Sequence, residues 1–230
     1  ILPPLALADM IAGIYGANAT VTALFARFRG LSKGQVIDLS LLEPMYSVLG
    51  PEAAIFAVTG KVKERSGSAS NTASPRNVYK CADGQYVALS GSTPQVARRI
   101  FEVIGKPEMN TDPRFATNSD RVKHRDLVDA AVAEWFSRHT HDAALGIMRE
   151  AGATVGPIYS IADIAADQHF RDRGIIVDVE DKDFGSLPMH NILPRLSETP
   201  GTFRRPAPEL GEHTAEVLRE AGVDPASIGA

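Results

Sequence analysis

Pro4-Leu5-Ala6-Leu7-Ala8-Asp9-Met10-Ile11-Ala12-Gly13-Ile14-Tyr15-Gly16 is the stretch whose reading decides the rest of the chain. An apolar run delivers one carboxylate, Asp9, to the start of a long segment that reads as helix from about Asp9 to Phe28. An acidic residue at the N-cap or in the first turn meets unpartnered backbone N–H groups and the positive end of the helix dipole, a favourable place for negative charge. The common role there is a helix cap; the other is a carboxylate nucleophile held at a helix start. Gly13, Gly16, Ala17, Ala19, Ala23 and Ala26 make the helix slim. A helical glycine costs up to about 1 kcal/mol relative to alanine, so two of them imply close packing against another backbone. Arg27, Arg29 and Lys33 near the far end complement the negative pole.

Working outward, the composition is that of an ordinary globular protein. Of 230 residues, 44% are hydrophobic and 23% charged, and the net charge of −4 argues against a nucleic-acid partner. No apolar run reaches the roughly 18 to 20 residues of a membrane span, so no membrane partner is expected. No secretory signal pattern is visible. The single cysteine, Cys81, excludes an intrachain disulfide and fits a cytoplasmic location. The chain opens on Ile and enters at once into an apolar segment, so it is expected to be a piece of a longer protein.

After the first helix, Val36-Ile37-Asp38-Leu39-Ser40 alternates and is predicted to be a strand. Leu41 to Thr59 reads as a second helix, interrupted by Pro44 and Pro51 and stopped by Gly60. Residues 61–77 are polar and rich in Ser and Gly, a linker by composition and a place where binding loops occur. Val78-Tyr79-Lys80-Cys81, Ala82-Asp83-Gly84 and Gln85-Tyr86-Val87-Ala88-Leu89-Ser90 predict a hairpin. Helices are predicted over Pro94–Ile104, Ser119–Arg138 and His141–Ala151, which makes this region α+β. His124, His139 and His141 lack metal-ligand spacing and are expected at the surface, with no metal. Val155 to Tyr159 reads as a tight crossing, followed by a short helix from Ser160. Gly174–Val179 and Gly185–Met189 read as paired strands, and Leu210-Gly211-Glu212-His213-Thr214 opens a last helix that Gly222 closes.

Seven pieces fall in a fixed order: Asp9 heading its small-residue helix; Gly34 to Glu43; Ala82 to Ala88; Asp112-Pro113-Arg114-Phe115-Ala116-Thr117-Asn118; Gly152 to Pro157; His169-Phe170-Arg171-Asp172-Arg173-Gly174; and Leu210 to Thr214. Together they resemble the class III CoA-transferases, the family of formyl-CoA transferase and carnitine CoA-transferase, across nearly the whole chain. The resemblance implies an α/β fold: a Rossmann-like large domain, incomplete here, with an inserted small α+β domain, in an interlocked homodimer. It assigns residues 1–60 and 175–230 to the large domain, 61–77 to a linker and 78–174 to the small domain.

In that family the aspartate matching Asp9 is the covalent catalyst. It attacks an acyl-CoA thioester, and CoA passes through an aspartyl thioester to a carboxylic acid. Coenzyme A is thus a cosubstrate, with no permanently bound cofactor, and the partners are acyl-CoA, a small carboxylic acid and a second subunit. The family's CoA contacts lie mainly in a segment preceding the catalytic aspartate, so none are carried over. A glycine-rich loop covers the active site in formyl-CoA transferase. The matching stretch here supplies Gly67, Ser68 and Asn71 as candidate substrate-binding residues, although it contains no glycine run. The family's Pro-aromatic pair is Pro75-Arg76 in this chain.

Two other readings compete. The α-methylacyl-CoA racemase branch resembles this chain equally in fold, but uses a Glu just before the Pro-Gln that follows the hairpin. Thr93 stands there, and threonine is a poor proton acceptor at neutral pH. Alternatively, the chain is a non-catalytic fragment that lacks the N-terminal CoA-binding segment.

Overall fold

A computed structural model describes residues 5–224 and 226 and divides the chain into two compact units, one ending at Gly67 and one beginning at Ser68. No helix among the described residues is long and apolar enough to cross a membrane.

The first unit is helical. Helix α1 (Leu7–Phe28) starts two residues before Asp9, with Ala6 at its N-cap. Gly16 has the packing reason its cost implied: a Cβ there would sit 3.3 Å from the Leu39 side chain. Gly13 has none, since a Cβ would meet nothing within 4 Å. The expected second helix is two, α2 (Leu42–Ser47) and α3 (Glu52–Thr59), separated at Pro51. Gly60 ends α3 in the left-handed region, φ 67°. Pro44 is tolerated in the first turns of α2, where the amide it lacks has no helical acceptor. Tyr15 on α1 and Ser47 on α2 share a 2.8 Å hydrogen bond.

The expected strand at Val36–Ser40 is not formed. The segment has no regular secondary structure and no described strand pairs with it; a strand exists only where a neighbour fills its backbone donors and acceptors. Ala12 is the one buried residue of α1, while Ile14, Val21, Phe25 and Phe28 lie open on its surface.

The second unit is built on an antiparallel sheet, β1 (Arg76–Lys80), β2 (Tyr86–Ser90) and β3 (Thr154–Pro157), in that order. The hairpin appears as its sequence predicts, although β1 already begins inside the 61–77 stretch. The third strand corrects the reading of Val155–Tyr159 as a crossing: Val155 opposes Leu89 and Gly156 opposes Ala88. Four residues containing Gly and Pro carry little strand signal, and β2 alone recruits them.

Tyr79, Val87, Leu89 and Val155 point to one face, where they meet α4 (Pro94–Val103), α6 (Arg125–Phe136) and α7 (His141–Glu150), while α5 (Asn118–Lys123) precedes α6. Ile100, Phe101, Val128, Phe136 and Met148 fill that core. Two 3₁₀ turns, Pro107–Asn110 and Pro113–Phe115, bring in Met109 and Phe115.

The helix expected over Ser119–Arg138 breaks at His124, whose backbone leaves helical values at φ −106°, ψ 27°. Its Nδ1 sits 2.9 Å from the Asp120 carbonyl, so the side chain competes for a helical acceptor at the break. His141 is also corrected: it is 8% exposed rather than superficial, because its N–H donates to Asp83 Oδ2 in the hairpin turn at 2.8 Å. His124 and His139 are half-buried, the latter stacked on Trp135 at 3.9 Å.

The chain continues through α8 (Ile161–Ala166), headed by a Ser160–Asp163 capping box, and α9 (Gln168–Asp172). The predicted second hairpin is β4 (Ile176–Asp181) with β5 (Gly185–His190). A last helix, α10 (Thr214–Glu220), ends at Gly222 as expected.

Beneath the sheet the Tyr79 hydroxyl donates to Asp129 Oδ1 at 2.6 Å. Burial, then the hydrogen bond and charge of Asp129, push its pKa far above the ordinary 10. A raised folded-state pKa adds stability that is complete below the unfolded value and is lost as pH rises above it, because the unfolded tyrosine then gives up its proton. Between about pH 10 and 11.5 this one group should cost about 1.4 kcal/mol per pH unit. Urea unfolding of wild type and Tyr79→Phe across that range should show the gap between them closing as pH rises. A gap independent of pH would contradict the assignment.

Candidate functional site

Asp9 occupies the third position of α1. No side chain caps that helix, so Asp9 is not the N-cap. It is exposed, and among the described residues it makes no hydrogen bond or ion pair. The common structural explanation for an acidic residue here, a capping bond, is therefore absent. What remains is a carboxylate beside the first-turn amides, which helix geometry leaves without helical acceptors.

The other candidate residues sit around residue 68. Gly67 closes the first unit with φ 60°, a value that favours glycine. From Ser68 the chain is fastened rather than loose. Ser68 Oγ donates to Asn77 Oδ1 at 2.6 Å, and Asn77 Nδ2 donates to Asp129 Oδ2 at 2.9 Å. Asn71 Oδ1 accepts from Arg125 Nη1 at 2.9 Å. Asn118 clips the next turn, its amide donating to the Thr72 carbonyl at 2.8 Å while its oxygen accepts from the Ser74 N–H at 3.3 Å. Arg121, 2% exposed, donates from Nε to the Ser74 carbonyl at 2.6 Å and from Nη1 to the Phe115 carbonyl at 3.3 Å. Ala73, Ser74 and Pro75 are buried as a result.

Composition read this stretch as linker because Ser, Asn and Gly are also the residues of fixed polar turns. Asn118 belongs to a quoted motif, but no pattern in the sequence marks Arg121 or Arg125 as the other fasteners.

Beyond Ser68 lies a hollow of about 450 Å³ on the sheet face opposite the helices. Its walls follow from the register. Arg76, Ser90 and Thr154 stand in one row across the three strands, and Val78, Ala88 and Gly156 stand in the next. The second row is low because two of its three residues have one methyl or none; a Cβ built on Gly156 would meet nothing within 4 Å. Ser68 and Asn77 close the rim. No carboxylate lines the hollow, and Arg76 makes no ion pair among the described residues.

Thr93 is the N-cap of α4, its side chain accepting from the Val96 N–H at 3.3 Å. It serves the helix end rather than proton transfer. The Cys81 thiol is buried, and burial raises its pKa, followed by the charge of Asp83; both disfavour the thiolate.

Residues 1–214 match CoA-transferase family III. The chain is 32% identical over 216 residues to succinyl-CoA–D-citramalate CoA-transferase of Chloroflexus aurantiacus, covering 94% of this chain and 54% of that protein. It is 34% identical over 220 residues to succinate–glutarate CoA-transferase of Agrobacterium fabrum, covering 94% of this chain and 53% of that one. The chain thus spans about half the length of the curated relatives it matches. Among solved structures, a CaiB/BaiF family protein from Brucella suis superposes with a TM-score of 0.77 at 30% identity, over 96% of this chain and 56% of that one.

Proposed function

The chain belongs to CoA-transferase family III, and from that premise we propose that it carries the nucleophile-bearing part of an enzyme that moves CoA from an acyl-CoA to a small carboxylic acid. The observation that supports this most is the state of Asp9: exposed at a helix start and engaged in no capping or ion-pair role. The relatives' names are consistent with acids as acceptors.

The proposed chemistry balances through one carboxylate. Asp9 attacks the donor thioester carbonyl, forming a mixed anhydride and releasing CoA thiolate. The thiolate attacks the aspartyl carbonyl, giving an aspartyl-CoA thioester and freeing the donor acid. The acceptor carboxylate attacks that thioester, forming a second mixed anhydride and releasing CoA thiolate, which then attacks the acceptor's acyl carbonyl to give the new acyl-CoA with the Asp9 carboxylate as leaving group. Covalent catalysis of this kind replaces one difficult transfer by several easier ones. On this reading the positive pole of the helix N-terminus stabilises charge developing on the aspartyl oxygen. Coenzyme A acts as cosubstrate, and the active form is proposed to be a homodimer.

The racemase reading is disfavoured by Thr93, whose hydroxyl is committed to capping α4. The two readings separate in one assay of the enzyme assembled with its CoA-binding segment. Label is expected to pass between an acyl-CoA and a free acid, with no deuterium entering the α-position of a 2-methylacyl-CoA. Fast α-exchange without acceptor acid would establish the racemase instead.

A further inference from the structure

We infer that a hollow at the open end of the β4–β5 hairpin is an effector site for a nucleoside monophosphate, separate from the CoA exchange assigned to Asp9. Every residue that lines it belongs to the second unit, and the inference stands without the transferase reading.

The site follows from how the chain enters and leaves the hairpin. Gly174 closes the turn after α9 at φ 54°, a value that favours glycine, and Ile175 leads into β4. Across the ladder Ile176 opposes His190, and one step beyond it the Asn191 N–H donates to the Ile175 carbonyl at 2.8 Å. The chain then turns back on itself. The Gly174 carbonyl accepts from Asn191 Nδ2 at 2.9 Å and from Arg195 Nη2 at 2.8 Å. Residues 191–195 are thus pinned at both ends to one carbonyl. That segment, with Arg173, Ile175 and His190, lines a hollow of about 450 Å³. A site whose supports are already ordered loses less entropy on binding.

Charge selects the ligand. Two guanidinium side chains, Arg173 and Arg195, line the hollow, and no carboxylate does. Neither arginine makes an ion pair among the described residues, and the Arg173 guanidinium makes no hydrogen bond among them. Like charges brought to one space repel unless a counter-charge sits between them. The group that meets both arginines best is a phosphomonoester. It concentrates about two negative charges and three acceptor oxygens on a single atom, so parallel N–H bonds reach it from both guanidiniums. A monocarboxylate satisfies only one such fork. A dicarboxylate has the charge but sets it at the two ends of a carbon chain, whereas both arginines are tied to one point: Arg173 precedes Gly174 and Arg195 is bonded to it.

The walls ask for more than an inorganic ion. Ile175, Leu193 and Pro194 are apolar, and Leu193 is 75% exposed beside the two arginines. Small-molecule sites are mostly apolar with a few placed polar groups, which is the balance here. A ligand with a flat apolar body attached to its phosphate covers these walls, and a nucleoside monophosphate has that form.

The test titrates the chain with 5′-AMP, adenosine, inorganic phosphate and succinate, by calorimetry and by ¹H–¹⁵N NMR of the Asn191 side-chain amide and the Ile175 and Arg195 backbone amides. If the chain self-associates, the calorimetry is done on the enzyme assembled with its CoA-binding segment. AMP should bind saturably, shift those signals, and bind at least about tenfold tighter than each of the other three, the scale of one lost charge-assisted hydrogen bond. Arg173→Gln should weaken AMP by at least about tenfold for the same reason. Circular dichroism of that variant should show the fold retained, since the guanidinium has no partner among the described residues. Leu193→Ala should narrow the gap between AMP and inorganic phosphate. AMP binding should persist in the presence of saturating CoA. AMP that binds as tightly to Arg173→Gln, shifts confined to other parts of the chain, or no saturable binding at all overturns the proposal. So does succinate, adenosine or inorganic phosphate binding as tightly as AMP, and so does displacement of AMP by CoA, which would make the hollow part of the cosubstrate's own site.

Discussion

Asp9→Ala is expected to remove CoA transfer by at least about 10⁴-fold while leaving stability within about 1 kcal/mol of wild type. The first number follows from losing the proposed nucleophile, through which every covalent step of the proposed mechanism passes; comparable deletions in covalent enzymes cost about 10⁴ to 10⁶. The second follows from the helix. Removing the carboxylate loses about 0.3 to 1 kcal/mol of interaction with the helix dipole, and alanine returns up to about 0.7 kcal/mol of helix propensity. No hydrogen bond is lost, since Asp9 makes none among the described residues. The pairing of a large catalytic loss with a small stability change separates the nucleophile from the cap. The measurement is transfer by the assembled enzyme beside urea unfolding of both proteins. Hydroxylamine added with acyl-CoA should also leave a hydroxamate on Asp9, read by mass spectrometry. Transfer within tenfold of wild type in the variant would remove Asp9 from the mechanism.

Phe136→Ala carries the largest expected effect on folding. Phe136 is fully buried at the end of α6. Its ring stacks on Tyr79 with centroids 5.3 Å apart and meets Trp135 edge-on at 5.1 Å. It therefore joins the sheet to the helical layer and helps shelter the Tyr79–Asp129 bond. Truncation forfeits burial, leaves a cavity and opens the aromatic pair, which together cost about 3 to 5 kcal/mol. Against a total stability of about 5 to 15 kcal/mol, the second unit should unfold at much lower denaturant. Urea unfolding followed by Trp135 fluorescence measures it. A loss below 1 kcal/mol would mean that the core closes over the gap.

Local signals were legible where one short range of residues determines the outcome. The Ala82-Asp83-Gly84 turn specified the first hairpin. Pro94 and Ser160 marked helix starts, and Gly60 and Gly222 marked ends. Signals failed where the partner is distant. The strand at Thr154–Pro157 exists because β2 offers it an edge, and Val36–Ser40 stays unpaired because no described strand does. Alternation in sequence states a preference, and only a neighbour converts it into a ladder.

The candidate site was uneven in the same way. Asp9 was singled out by its place at a helix start and by the family resemblance, and Gly67, Ser68 and Asn71 by the resemblance alone. Their fasteners were not: Asn118, Arg121 and Arg125 lie 44 to 54 residues along the chain from the groups they hold. Side chains that reach so far in sequence leave no local period to detect. The Arg76–Ser90–Thr154 row was hidden for a related reason, since it exists only once the strand register is known.

The alternation within those strands has an evolutionary consequence. Tyr79, Val87, Leu89 and Val155 hold the core, and each has a sequence neighbour that faces the hollow instead. Changes at positions 76, 90, 154 and 156 thus reshape the hollow without touching a core contact. Surface substitutions of that kind usually shift stability by no more than about 0.5 kcal/mol. A lineage could vary these four positions through intermediates that all remain folded, so the outer face is free to drift while the scaffold stays under constraint.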